Sequence, residues 1–301
     1  MGTITRAIRA PTGVSGVAVW QSRAVLRVGG PRLLDERDRS EVKLALDADP
    51  IASCMVASRV EVAGVDSWRL GGELWGIGTS LAGLCFVGAN LVPLRGTPAT
   101  LRAFAERARR RGRGCSSLVG RSELVLPLWR ELEPDWAPAR EVREDQPLMV
   151  LPTRAAIPSD PLVRQVRPNE LDRYLPAAVA MFTEEVGVDP RLGDGGVGYR
   201  ARVAEQIASG RAFARFEDGQ VVFKAEIGAL SSRVGQIQGV WVHPERRGGG
   251  LGAAGTAAVV DRLVSMERVA SLYVNAYNTP ARAAYARVGF TQIASFATVL
   301  F

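Results

Sequence analysis

The chain has 301 residues, 47% of them hydrophobic and 23% charged, an ordinary globular composition with room for two cores. No apolar run approaches the ~20 residues of a membrane helix, so no membrane partner is expected. Residues 1–10 lead into no apolar segment with a small-residue cleavage site, and three widely spaced cysteines without CxxC spacing read as reduced thiols of a cytoplasmic protein with no metal site. The net charge of +7 would suit a nucleic acid, but only Lys43 and Lys224 are lysines among 38 cationic residues; the arginine excess reads as the codon bias of a GC-rich genome, and no nucleic-acid partner is expected.

Residues 1–24 are weakly patterned and read as an extension. A strand-like VLRV follows from Ala24. Asp35-Glu36-Arg37-Asp38 then opens a helix to about Leu46, and Asp49-Pro50 another to about Val62. Residues 73–78 and 81–93 alternate apolar and small side chains as strands do. Thr97-Pro98 starts a helix to about Arg111, with proline in its first turn. A short strand at 115–119, a helix at 121–132 and a strand at 141–151 complete the first half. Three prolines without apolar period mark 152–161 as a linker.

The second half repeats this order. A strand at 163–166 precedes helices at 170–185 and 199–209, the latter stopped by Gly210. Strands at 212–216 and 221–227 flank a Glu217-Asp218-Gly219-Gln220 turn. A strand at 234–242, a helix at 252–265, a strand at 271–275, a helix at 280–288 and a strand at 292–300 follow. Both halves read β, α, α, β, β, β, α, β, α, β, which predicts an α/β (α+β) protein of two tandem units, 25–151 and 162–301, each a mixed, mostly antiparallel sheet flanked by helices.

The most informative stretch is Val240-Trp241-Val242-His243-Pro244-Glu245-Arg246-Arg247-Gly248-Gly249-Gly250-Leu251-Gly252-Ala253-Ala254-Gly255. A strand runs into glycines and arginines and then directly into a helix. Glycines allow backbone N–H groups to close on a ligand, and the helix N-terminus favours an anion; together they suit a pyrophosphate. A P-loop would need a lysine that is absent here. Gly250, Gly252 and Gly255 match GxGxxG, but the next strand ends without the acidic residue that binds a ribose, and fewer than ~60 residues remain for a dinucleotide fold.

Arg247-Gly248-Gly249-Gly250-Leu251-Gly252 resembles the R/Q-x-x-G-x-G/A coenzyme A signature of the GNAT superfamily, preceded by the usual V-x-P-E-x-R element as Val242 to Arg247. Downstream, Asn278, Ala281, Tyr285, Gly289 and Phe290 stand at the spacing of the family's N-x-x-A-x-x-x-Y-x-x-x-G-F element. The resemblance covers about residues 163–301. It implies a sheet splayed near its middle, acetyl-CoA in the splay, and direct acetyl transfer to an amine. Val240, Trp241, Val242, Arg247, Gly248, Gly249, Gly250, Leu251, Gly252, Ala253, Asn278 and Tyr285 are the implied cofactor-binding residues.

Direct transfer needs a neutral amine, a proton donor for the thiolate and an oxyanion donor. Tyr285 is the implied acid, since a phenol keeps its proton at pH 7. Asn278 either bonds the pantetheine or caps a helix. The base is less defined. Members of the family often carry a glutamate on the strand before the loop, where Gln236 and Gln238 stand here. Both share a face with Val240 and Val242 by period two. Glu226, with Gln238, is therefore a catalytic candidate, and Glu184, Glu185 and Gln236 are candidate acceptor-binding residues. His243 is read as structural and Trp241 as core. The expected function is an N-acetyltransferase on a small-molecule or peptidyl amine. The alternatives are a protein lysine acetyltransferase or, given the missing strand glutamate, a non-catalytic acyl-CoA sensor. The sequence leaves the oligomeric state open.

The equivalent loop of the first half, Leu94-Arg95-Gly96-Thr97, has one glycine. With GGELWG at 71–76 and ANLVP at 89–93, it resembles the degenerate N-terminal repeat of tandem actinobacterial GNAT proteins. One intact loop predicts one acetyl-CoA site per chain. Calorimetry is expected to give a stoichiometry of one and to lose all binding in the Arg247→Ala/Gly250→Asp double variant.

Overall fold

The computed structural model describes residues 29–301; the expected extension and the strand from Ala24 lie outside the described residues. The first half runs β1 (Arg32–Leu33), α1 (Arg39–Asp47), α2 (Cys54–Ala63), α3 (Ser67–Leu70), β2 (Gly72–Ile77), β3 (Gly83–Gly88), β4 (Asn90–Arg95), α4 (Pro98–Arg111), β5 (Ser117–Arg121), α5 (Ser122–Leu132) and β6 (Glu141–Leu151). The second runs β7 (Arg164–Gln165), α6 (Leu171–Val186), α7 (Val197–Ala208), β8 (Ala212–Glu217), β9 (Gln220–Leu230), β10 (Val234–Val242), α8 (Leu251–Ser265), β11 (Val269–Tyr273), α9 (Thr279–Val288) and β12 (Thr291–Leu300).

Local chemistry explains most boundaries. Thr97 caps α4, its N–H donating to Thr100 Oγ1 at 2.7 Å, with Pro98 at the first turn. Asp218 and Gly219 take φ of 47° and 81° in the two-residue β8–β9 turn, as a primed hairpin requires. The run 81–93 is two strands, split at Ala89. The unexpected α3 starts where the Asp66 carboxylate accepts from the N–H groups of Trp68 and Arg69, and it stops at Gly71 with φ of 69°.

The twelve strands among the described residues form one mixed sheet, in the order β1-β2-β3-β4-β5-β12-β6-β11-β10-β9-β8-β7. β6 lies between β11 and β12 of the second half, antiparallel to both, and β12 lies between β5 and β6. Each half thus lends its last strand to the other. The two tandem units form one continuous sheet. Gln146 of β6, 3% exposed, donates to Asn275 Oδ1 at 2.8 Å and accepts from Thr298 Oγ1 at 2.6 Å, tying β6 to both neighbours. Helix α2 packs against β9 and β10 of the second half, where Glu61 accepts from the N–H and hydroxyl of Ser232, both at 2.7 Å.

Residues 152–161 run across α8 and α9. Ala156 N–H bonds to the Val288 carbonyl at 2.8 Å, and Asp160 N–H to that of Ala254 at 3.0 Å. Cys54, Cys85 and Cys115 are all buried and unpaired. Gly255 brings α8 down onto β9: a Cβ there would stand 2.6 Å from the Phe223 ring. A fragment starting at Ser159 would leave the β11 and β12 edges unpaired, exposing backbone groups that a folded core must satisfy. It is expected to show no cooperative thermal transition by circular dichroism, whereas the full chain melts cooperatively.

Candidate active site

β10 and β11 pair in parallel only from Val234↔Val269 to Gln236↔Ser271 and then diverge. On its other side β10 breaks register with β9 between Gln238 and Trp241. Gly239 has φ of 57°, so the backbone bulges there and no neighbouring strand pairs with Val240. The bulge resets the alternation of the strand. Ile237, Val240 and Val242 pack on the α8–α9 side, and Trp241 packs among α6 and α7. The period-two expectation that Gln236 and Gln238 share a face with Val240 and Val242 is therefore corrected, because the extra residue inverts the parity beyond Gly239.

Lys224 of β9 anchors the bulge. Fully buried, it donates to the Gly239 carbonyl at 2.9 Å and pairs with Glu226 Oε1 at 2.9 Å. Tyr174 of α6 donates to the same oxygen at 3.0 Å. Burial would raise the Glu226 pKa, but the Lys224 charge and the Lys224 and Tyr174 hydrogen bonds outweigh it and hold the pKa below the ordinary range. Glu226 is thereby kept as a fixed carboxylate.

The glycine-rich loop spans residues 243–250 between β10 and α8. Gly248 and Gly250 have φ of 82° and 84° with open space where a Cβ would stand. Gly250 heads α8 without any side-chain cap, so the first N–H groups of the helix remain available. Arg247 donates from Nε to the Val242 carbonyl at 3.0 Å and pairs with Glu184 at 2.8 Å. Glu184 also accepts from Trp241 Nε1 at 3.0 Å. Half-exposed on both sides, the Arg247–Glu184 pair is worth about 0–1 kcal/mol, and an incoming phosphate can displace it at little cost. Uncapped N–H groups, φ-positive glycines and a loosely paired arginine suit a pyrophosphate such as that of coenzyme A. The unpaired backbone at Val240 suits the amides of its pantetheine arm.

Two cavities flank this point. One, about 500 Å³, is lined by the loop, the start of α8 and α9. The other, about 420 Å³, lies among α6, α7, β9, β10 and β11. They share Glu184, Val240, Trp241, Asn278 and Tyr285. Asn278 caps α9, its Oδ1 accepting from Ala281 N–H at 3.2 Å. Tyr285 is 7% exposed. Burial first, and then the charge of Glu185, push its pKa up, so it keeps its proton at neutral pH. Glu185 stands on the last turn of α6. Its side chain is exposed to solvent, yet the mass of protein around its carboxyl pushes its pKa up, Arg143 and Lys224 pulling the other way and Glu226 adding to the rise.

The structure thus gathers Glu184, Glu185, Glu226, Gln238 and Tyr285 around the second cavity. Gln236 does not line it; it is buried on the strand that α2 covers. Gly249 lies on the outer side of the loop with Arg215, Arg246 and Arg287. His243 packs edge-on against Trp241, ring centroids 5.8 Å apart. Sequence reasoning missed Lys224, Arg143, Gln146, Tyr199, Arg202 and Tyr273. Lys224 had a signal: it is one of two lysines in an arginine-rich chain and sits inside an apolar strand. The others come from elements whose neighbours only the fold reveals.

Residues 184–290 match the profile of the Acetyltransferase (GNAT) family. Residues 72–174 match that of a domain of unknown function, DUF4081. No curated protein matches the chain. Among solved structures, a GNAT-family acetyltransferase from Colwellia psychrerythraea is similar at 11% identity and a TM-score of 0.55, covering 91% of this chain and 100% of its own. A Drosophila protein is similar at 12% identity and a TM-score of 0.63, covering 91% and 99%. At these identities they show the shared fold. No helix among the described residues is long and apolar enough to cross a membrane.

Removing Lys224 would leave the Glu226 carboxylate at the cavity wall without its cation and the Gly239 carbonyl without its side-chain donor. Lys224→Met is expected to cost about 3–5 kcal/mol of stability, and Lys224→Met/Glu226→Gln to recover part of that loss. Urea denaturation of the two variants beside the parent measures both.

Proposed function

The chain belongs to the GNAT acetyltransferase superfamily, and from that premise we propose that it is an acetyl-CoA-dependent N-acetyltransferase acting on the primary amine of a small-molecule or peptidyl acceptor. The observation that carries this reading is the meeting of the loop cavity and the α6–α7 cavity at Tyr285. Acetyl-CoA, when bound, supplies an activated acetyl thioester. The N–H groups of 248–252 and the head of α8 hold its pyrophosphate, with Arg247 leaving Glu184 to join them. The open backbone at Val240 aligns the pantetheine and directs an N–H at the thioester oxygen. The division into a degenerate first unit and a cofactor-binding second unit is part of the same proposal, with both units building the acceptor cavity.

Glu185 is the general base of this proposal. Its raised pKa suits it to take the ammonium proton, whereas Glu226, locked to Lys224, orients and balances charge. Tyr285 donates its proton to the departing thiolate. Gln238, which lines the cavity and cannot exchange a proton, positions the amine or a water. The base titrates above the ordinary glutamate range and must be deprotonated to act. Activity is therefore expected to fall as pH drops through that raised pKa, and Glu185→Gln to abolish this acid limb with a loss of about 10²–10⁴-fold in rate. Tyr285→Phe is expected to lower kcat by a similar factor with little change in acetyl-CoA affinity. Thiol release across pH, with calorimetry for the cofactor, checks each outcome.

A further inference from the structure

The buried cation at the β10 bulge grips one end of a single peptide unit. Lys224 donates to the Gly239 carbonyl at 2.9 Å, and the N–H at the other end of that peptide belongs to Val240. No peptide bond among the described residues is cis. In a planar trans peptide the C=O and the N–H point in opposite directions. By holding the carbonyl, Lys224 therefore turns the Val240 N–H away from itself. Val240 lines both cavities where they meet, and Lys224 lines neither.

Three contacts fix the ammonium. Besides the Gly239 carbonyl, it pairs with Glu226 Oε1 at 2.9 Å and lies 5.6 Å from the centroid of the Tyr174 ring. Its tip also fills the space that a side chain at 239 would need: a Cβ there would stand 3.1 Å from Lys224 Nζ and 3.1 Å from Met181 Cε. So tight a site takes a compact ammonium rather than a planar guanidinium, and Lys224 is one of two lysines among 38 cationic residues. A hydrogen bond from a charged donor is about twice as strong as a neutral one. In a low-dielectric interior it polarises the bonds that follow it. A carbonyl drawn toward an ammonium thus makes its own peptide N–H a stronger donor.

Resting on the acetyltransferase reading, we propose that Lys224 is a positioning residue for acyl transfer: through the Gly239–Val240 peptide it aims and polarises the N–H that meets the thioester carbonyl oxygen. Its effect falls on the negative charge that develops at that oxygen rather than on coenzyme binding. Loss of one such donor costs acyl-transfer enzymes about 10²–10³-fold in kcat.

The test uses the full chain with acetyl-CoA that carries a heavy carbon isotope at the thioester carbonyl. Infrared difference spectra report the carbonyl stretch, and calorimetry reports affinity. In the parent the stretch is expected below that of free acetyl-CoA in water. In Lys224→Met/Glu226→Gln, which does not strand a carboxylate, it is expected to move back toward the free value, with affinity changed less than threefold. Glu226→Gln alone keeps the ammonium at Gly239 and is expected to keep the parent's band. Lys224→Gln/Glu226→Gln offers the carbonyl a neutral donor and is expected to fall between. A purely structural lysine would change the melting temperature and leave the band in place. A parent band at or above the free value, or a band unmoved in the Lys224→Met/Glu226→Gln variant, would overturn the proposal while the acetyltransferase reading stands. A parent that binds no acetyl-CoA would overturn that reading and this proposal together.

Discussion

The ladder between β6 and β12 is the constraint on which the rest of the molecule depends. These two strands close the two halves into one sheet, because each fills the gap beside the fifth strand of the other half. A strand in that position has neighbours on both edges, so its backbone groups are satisfied only when both halves are present. Gln146 fixes the junction at side-chain level, bonded to Asn275 before α9 and to Thr298 of β12. The same residue lines the α6–α7 cavity. The first half therefore supports the candidate site directly: Arg143 and Arg140 of the β6 segment donate to the carbonyls of Glu185 and Val186 and hold the end of α6 in place.

Charge in the site is distributed by partner. Three glutamates lie near the cavity; a different cation pairs with two of them, and the third carries no ion pair among the described residues. Lys224 fixes Glu226 as a carboxylate and at the same time satisfies the Gly239 carbonyl that the bulge takes out of the ladder. Arg247 holds Glu184 loosely at the surface. Arg143 bonds the backbone carbonyl of Glu185 rather than its carboxylate, and desolvation by the surrounding protein pushes the Glu185 pKa up against the pull of Arg143 and Lys224. Three residues of one chemical type thus acquire different electrostatic character from their surroundings.

The two halves also differ in how the helix after the loop is headed. Two residues connect β4 to α4, whereas eight connect β10 to α8. In the short connection Thr97 and Thr100 cap each other, and a Cβ at Gly96 would meet Thr100 Oγ1 at 2.8 Å. The helix head is satisfied from within. In the long connection the helix head is a bare glycine. The difference lies in who supplies the hydrogen-bond acceptors at a helix N-terminus, the protein or a ligand.

By itself, the sequence determined most of the elements and the loop. Both depend on local chemistry: hydrophobic period, caps at Thr97 and Asn278, the turn at Asp218-Gly219, and the glycines from 248 to 252. It also made Tyr285 and the α6 glutamates legible as candidates, through spacing from those local signals. Only the tertiary structure decided the parity of β10 beyond Gly239, because a bulge shifts every later side chain and depends on Lys224 one strand away. Only it decided which glutamate is locked and which is not, because pKa follows from burial and from charges distant in the chain. And only it decided that the halves exchange β6 and β12, since a strand's own sequence records that it pairs on both edges but not with whom.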